Sequence, residues 1–61
     1  DFRTIFDDIR NTLAQNYLRN TSLSIVEIAD LLNYTEATNF HRAFQRWNST
    51  TPVDYRESES P

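Results

Sequence analysis

The sequence predicts an all-α fold: a long helix, two short helices joined by a tight turn, and a short C-terminal helix around a three-helix core. Apolar residues recur at spacings of three and four in successive runs, residues that start or stop helices separate the runs, and no stretch alternates as a strand would. In the first run Phe2, Ile5, Phe6, Ile9, Leu13 and Tyr17 form one stripe on a helix of about four turns, and their spacing marks Phe6 and Tyr17 as core. Asp7 and Asp8 lie toward its start and Arg19 at its end, the order that suits the helix dipole. Asn20 is expected to close the helix in a left-handed conformation, leaving residues 20–22 as a connector.

Ser24-Ile25-Val26-Glu27 has the form of a capping box, with Leu23 and Ile28 placed as a hydrophobic staple. A second helix therefore starts at Ser24, carries Ile25, Ile28, Ala29, Leu31 and Leu32 as its apolar positions, and turns at Asn33. Thr35 is expected to cap a third helix from Glu36 to about Trp47. In that helix Ala37, Phe40, Ala43, Phe44 and Trp47 lie within about 120° of one another and face inward. Thr38, Asn39, His41, Arg42, Gln45 and Arg46 cover the opposite arc, which no acid interrupts after Glu36. Thr51-Pro52-Val53-Asp54 reads as the start of a fourth helix, with proline at its first position and Val53 and Tyr55 tacking it to the core. The acidic, apolar-free end, 57–61, is expected to be disordered.

Composition excludes several classes of function. With no glycine the chain has no glycine-rich phosphate loop, and with no cysteine and one histidine it has neither a disulfide framework nor a zinc cluster, so no cofactor or metal is expected. No run approaches the roughly 20 apolar residues of a membrane span. Absence of cysteine favours a reducing, cytoplasmic setting. Net charge is −3, from six arginines against nine acids, so any nucleic-acid binding depends on how charge is distributed. A first residue other than Met, opening directly into a helical pattern, suggests a piece of a longer chain.

Ala29 in the second helix and Asn33 in the turn meet the steric needs of a helix-turn-helix: a small residue where the next helix crosses, and a residue tolerant of positive φ. Other two-helix corners share this pattern without touching DNA. The longer run from Ile28 through Asn39-Phe40 and Arg42-Ala43-Phe44 to Trp47, followed by Thr51-Pro52 and Tyr55-Arg56, resembles the signature of the arabinose-regulator (AraC/XylS) family. Arg10, Leu13-Ala14 and Tyr17-Leu18 resemble the long helix before it. The resemblance implies a bacterial transcription regulator, with 1–19 as a linker helix, 20–56 as the second helix-turn-helix subdomain with a homeodomain-like three-helix core, and 57–61 as the tail. It further implies double-stranded DNA as partner, RNA polymerase as another candidate, and an upstream helix-turn-helix subdomain and an effector or dimerisation domain elsewhere in the protein.

On that resemblance Thr38, Asn39 and Arg42 stand at positions used for base contacts, and the helical wheel independently turns them outward. Arg42 suits guanine, Asn39 adenine and the Thr38 methyl thymine. His41, Gln45 and Arg46 flank that set toward the phosphates, as do the amides at the helix starts capped by Ser24 and Thr35. Asn33 and Ser49 stand where the family has glycine, and His41 and Gln45 replace a small polar residue and a lysine, which lowers the expected affinity. Competing readings are weaker. The aromatic residues as a stacking platform, His41 as a catalytic base, Asp7-Asp8 as a metal pair, and Asn20, Asn33 and Asn48 as glycosylation sites all yield to core, solvated or capping roles. Arg10 and Arg56 suit phosphate, polymerase or structural pairing with an acid. The alternative function is a helical protein-interaction module that contacts polymerase or a dimer partner; an enzyme lacks any convergent nucleophile, base and anion site.

Overall fold

The computed structural model describes residues 2–59. Four helices follow one another, α1 (Phe2–Asn20), α2 (Ile25–Leu31), α3 (Ala37–Asn48) and α4 (Pro52–Glu59), and no strand occurs among the described residues. The core is Ala14 and Leu18 of α1, Ile28, Ala29 and Leu32 around α2, and Phe40 and Phe44 of α3. Rings connect its parts. Tyr34 lies 5.8 Å from Phe40, Phe40 5.9 Å from Phe44, and Phe44 5.4 Å from Tyr55, the last two edge-on, as aromatic quadrupoles favour.

The turn between α2 and α3 follows from local chemistry. The Ser24 hydroxyl accepts from the Glu27 amide and the Glu27 carboxylate accepts from the Ser24 amide, so both halves of the capping box form. At the other end Asn33 has φ 67°. Its N–H donates to the Asp30 carbonyl and the Tyr34 N–H to the Ala29 carbonyl, the paired bonds of a Schellman turn. Ala29 is buried at the crossing, where a larger side chain would hold α3 away. Ser49 closes α3 with φ 59°, its N–H donating to the Gln45 carbonyl at 2.8 Å. Both positions thus carry the left-handed backbone for which glycine is the usual residue.

Several expectations are corrected. The apolar stripe of α1 is not covered: Phe2 is 79% exposed and Phe6 60%, and Ile5, Ile9 and Leu13 are exposed too. The inward side of α1 lies about 145° round the helix, along Arg10, Asn11, Ala14, Gln15 and Leu18, and only its C-terminal half is embraced by the short helices. Those helices are too short to cover a rod of about 28 Å, so α1 projects and the molecule measures 36 × 20 × 17 Å. Asn20 remains helical and donates to Asn16 rather than turning left-handed. The N-cap of α3 is Glu36, not Thr35, with no side-chain capping bond, so the helix starts one residue later than expected. Leu31 and Val53, assigned inward, are exposed, and Pro52 is the residue of α4 that is buried. The helix α4 continues through Glu57, Ser58 and Glu59, where disorder was expected, because Thr51 caps its start through the Asp54 amide and Tyr55 ties it down. Ser60 and Pro61, the rest of that expected tail, lie outside the described residues, as does Asp1.

Ser24→Ala is expected to destabilise the fold by about 1 kcal/mol in urea unfolding, because one amide loses its acceptor. A change within about 0.3 kcal/mol would show that the box contributes nothing. Asn33→Gly should be tolerated and Asn33→Val should destabilise, since a β-branched residue resists positive φ. Ser49→Gly should stabilise by about 0.5 kcal/mol, the left-handed cost of serine being partly offset by the greater freedom of glycine in the unfolded chain.

Candidate nucleic-acid interface

The roll of α3 about its axis is set by Phe40, Ala43 and Phe44, which are buried, and by Ala37 and Trp47, which are partly so. The opposite arc then faces water. Thr38, Asn39, Arg42, Gln45 and Arg46 are exposed and His41 is half-buried at the edge. The five outward side chains span the helix from its first turn to its last, and the arc carries two guanidiniums and no carboxylate. Ser24 and Thr35 are exposed before α2 and α3; the Ser24 hydroxyl is engaged by the Glu27 amide. Among the described residues no group of three or more His, Cys, Asp or Glu side chains could hold a metal ion.

Three sets of hydrogen bonds fix α1 against the other helices. Asn48, at the end of α3, donates to Asn11 at 2.7 Å and to the Phe44 carbonyl, while Gln15 donates to Asn48 at 2.8 Å. Asn48, read from the sequence as a capping residue, is instead the centre of a bridge between helices 33 or more residues apart. Arg56 of α4 reaches the C-terminal end of α1. Its Nε donates to the Leu18 carbonyl at 3.0 Å and its Nη2 to the carbonyls of Tyr17 and Thr21, so the guanidinium serves the Leu18 and Thr21 carbonyls at the helix end and adds to the Thr21 N–H already on Tyr17. Arg19 donates to the Tyr55 hydroxyl across the same seam.

Arg10 stands beside α3. Its guanidinium carbon lies 5.0 Å above the centroid of Tyr34, the residue that follows the turn, and it lines a groove between α1 and α3 with Asn39, Arg42 and Arg46. The sequence left Arg10 open between phosphate, polymerase and pairing with an acid, although its place with Asn11, Ala14 and Leu18 at spacings of one, three and four is the pattern of an inward face.

Residues 1–58 match the family described as "Helix-turn-helix domain", nearly the whole chain. The chain belongs to the AraC-type helix-turn-helix family. This AraC-type domain is 44% identical over 57 residues to the ornithine utilization regulator of Pseudomonas aeruginosa, covering 93% of this chain and 17% of that protein. It is 35% identical over 57 residues to the HTH-type transcriptional regulator VqsM of the same organism, covering 93% of the chain and 18% of the relative. The crystal structure of the transcriptional regulator CdpR from Pseudomonas aeruginosa superposes with a TM-score of 0.88 at 35% identity, over 93% of this chain and 18% of that one. The AraC-type domain thus spans less than a fifth of these relatives. Its family is one of DNA-binding transcription regulators, not of enzymes.

Asn48→Ala is expected to cost about 1 to 3 kcal/mol, because it removes both bonds that join α1 to α3 and leaves Gln15 and Asn11 only their own longer bond of 3.3 Å in a partly buried seam. Arg56→Met should cost a similar amount, and Arg56→Lys should recover only part, since an ammonium cannot span three carbonyls as the guanidinium fork does. Urea unfolding of the three variants measures both.

Proposed function

We propose that the chain is one DNA-reading half of a longer bacterial transcription regulator acting in the cytoplasm, with α3 lying in the major groove. The observation that carries this reading is the outward arc of α3, basic and free of acids, held in one orientation by the buried aromatic face behind it. A helix fits the roughly 12 Å wide groove, where each base pair shows its own donors and acceptors. Arg42 forks onto guanine, Asn39 pairs with adenine, and the Thr38 methyl meets thymine. Gln45, Arg46 and His41 flank them toward the phosphates, with Ser24 and Thr35 and the amides beside them meeting the backbone at the helix starts.

The exposed stripe of α1 supports a role for that helix as the seat of another part of the same protein. Phe2, Ile5, Phe6, Ile9 and Leu13 form a continuous apolar face, and such a face on a small domain marks an interaction surface. The relatives are more than five times longer than this chain. We assign the face to the upstream helix-turn-helix subdomain, with an effector or dimerisation domain and RNA polymerase as further partners of the whole protein.

Operator binding by the full-length protein tests the reading. Arg42→Ala is expected to cost about 1 to 3 kcal/mol and to relax preference at one or two base pairs, whereas Arg46→Ala should weaken all sequences alike and reduce the salt slope by about one. Competition with operator variants at several salt concentrations separates the two. Intact affinity and base preference in Arg42→Ala would mean that α3 is not the reading helix, and the protein-interaction alternative would take its place.

A further inference from the structure

The groove between α1 and α3 gathers four of the chain's six arginines. Arg3 and Arg10 from α1 and Arg42 and Arg46 from α3 converge on it, with Asp7 as the one carboxylate among its lining residues, while the whole chain carries a net charge of −3. Arg10 is the best-positioned of the four. It is half-buried, its guanidinium carbon lies 5.0 Å over the centroid of Tyr34, and no carboxylate among the described residues is ion-paired to it. A cation–π contact takes up none of the acceptors a guanidinium can bind, and with five N–H donors Arg10 keeps donors for a tetrahedral oxyanion. Tyr34 itself is held by the turn and by Phe40, so the stem and ring that aim Arg10 belong to the same rigid corner that starts α3.

We propose that this groove is an anion seat for one phosphodiester of the DNA strand bordering the major groove, and that Arg10 on α1, with Arg46 opposite, grips it. The inference rests on the reading of α3 as the helix in the groove. A helix lying there has a phosphate strand on each flank, and α1 presents Arg10 along one of those flanks. Through this contact α1 becomes part of the DNA interface and fixes the rotation of α3 relative to the backbone. The seat reads no base.

Equilibrium binding of the full-length protein to an operator duplex and to a scrambled duplex, between 50 and 200 mM salt, tests the seat. Arg10→Gln is expected to weaken both duplexes by the same factor and to make the salt slope shallower by about one. Its deficit should therefore shrink about 3.5-fold across that range. Arg10→Lys should keep the slope, and Asp7→Asn, which removes the groove's carboxylate, should tighten both duplexes by up to about fivefold. Thermal unfolding checks that each variant is folded. If Arg10→Gln does not fold, the other two variants decide: a shallower slope in Arg10→Lys, or no tightening in Asp7→Asn, overturns the seat. An Arg10→Gln protein with unaltered affinity and slope, or with a loss confined to the operator, overturns it as well. Arg42→Ala measured alongside keeps the two readings apart. If it relaxes base preference while Arg10→Gln changes nothing, only the seat falls; if it changes nothing either, the major-groove reading falls with it.

Discussion

The packed rings of Tyr34, Phe40, Phe44 and Tyr55 are the constraint on which the rest of the molecule depends. They run from the turn, through the buried side of α3, to α4, so one set of contacts joins three successive segments. A helix is free to roll about its axis until its buried side chains fill a particular space. Phe40 and Phe44 fill it completely, and Ala29 and Ala43 let the backbones come close enough for the rings to meet. Because interiors are packed at crystal-like density, the roll of α3 has one solution, and the opposite arc with Asn39, Arg42 and Arg46 inherits its direction from that solution. The polar face is oriented by residues that are themselves buried.

The helix α1 is unusual in having two different faces in use. Its C-terminal half buries Ala14 and Leu18 against the core, and its end is closed by a guanidinium delivered from α4. Its N-terminal half turns arginine, aspartate and asparagine toward α3 and leaves phenylalanine, isoleucine and leucine to solvent. An amphipathic helix normally buries its apolar side first, since each apolar Å² removed from water contributes about 25 cal/mol. Here the inward side is selected by the amide network at Asn48 and by the contact of Arg10 with Tyr34, both of which require α1 to present polar groups. The apolar face is then available for association, and a single domain of this size carries both a basic groove and a hydrophobic surface.

Left-handed residues at both ends of α3 behave alike. Asn33 and Ser49 each adopt positive φ without being glycine, and each does so where hydrogen bonds to preceding carbonyls over-determine the turn. Asparagine visits that region readily; serine does so less. The second turn is therefore the more strained of the two, and it sits next to the Asn48 bridge that holds α1.

Local chemistry in the sequence determined the existence of all four helices, the capping box at Ser24, the left-handed turn at Asn33, the inward face of α3 and the proline start of α4. Each depends on residues within a few positions of one another, where hydrogen-bond geometry and helical periodicity act without help from distant parts. The outward placement of Thr38, Asn39, Arg42, Gln45 and Arg46 was legible for the same reason, because one face of an amphipathic helix fixes the other. Tertiary structure decided what no local pattern contains: which side of α1 faces the core, that Asn48 joins Asn11 and Gln15, that Arg56 closes a helix nearly 40 residues earlier, and that Arg10 lies over Tyr34 beside α3. The stripe of α1 announced an apolar face, but periodicity measures only that a face exists. Which partner covers it depends on the lengths and positions of the neighbouring helices, and those are set by packing in three dimensions.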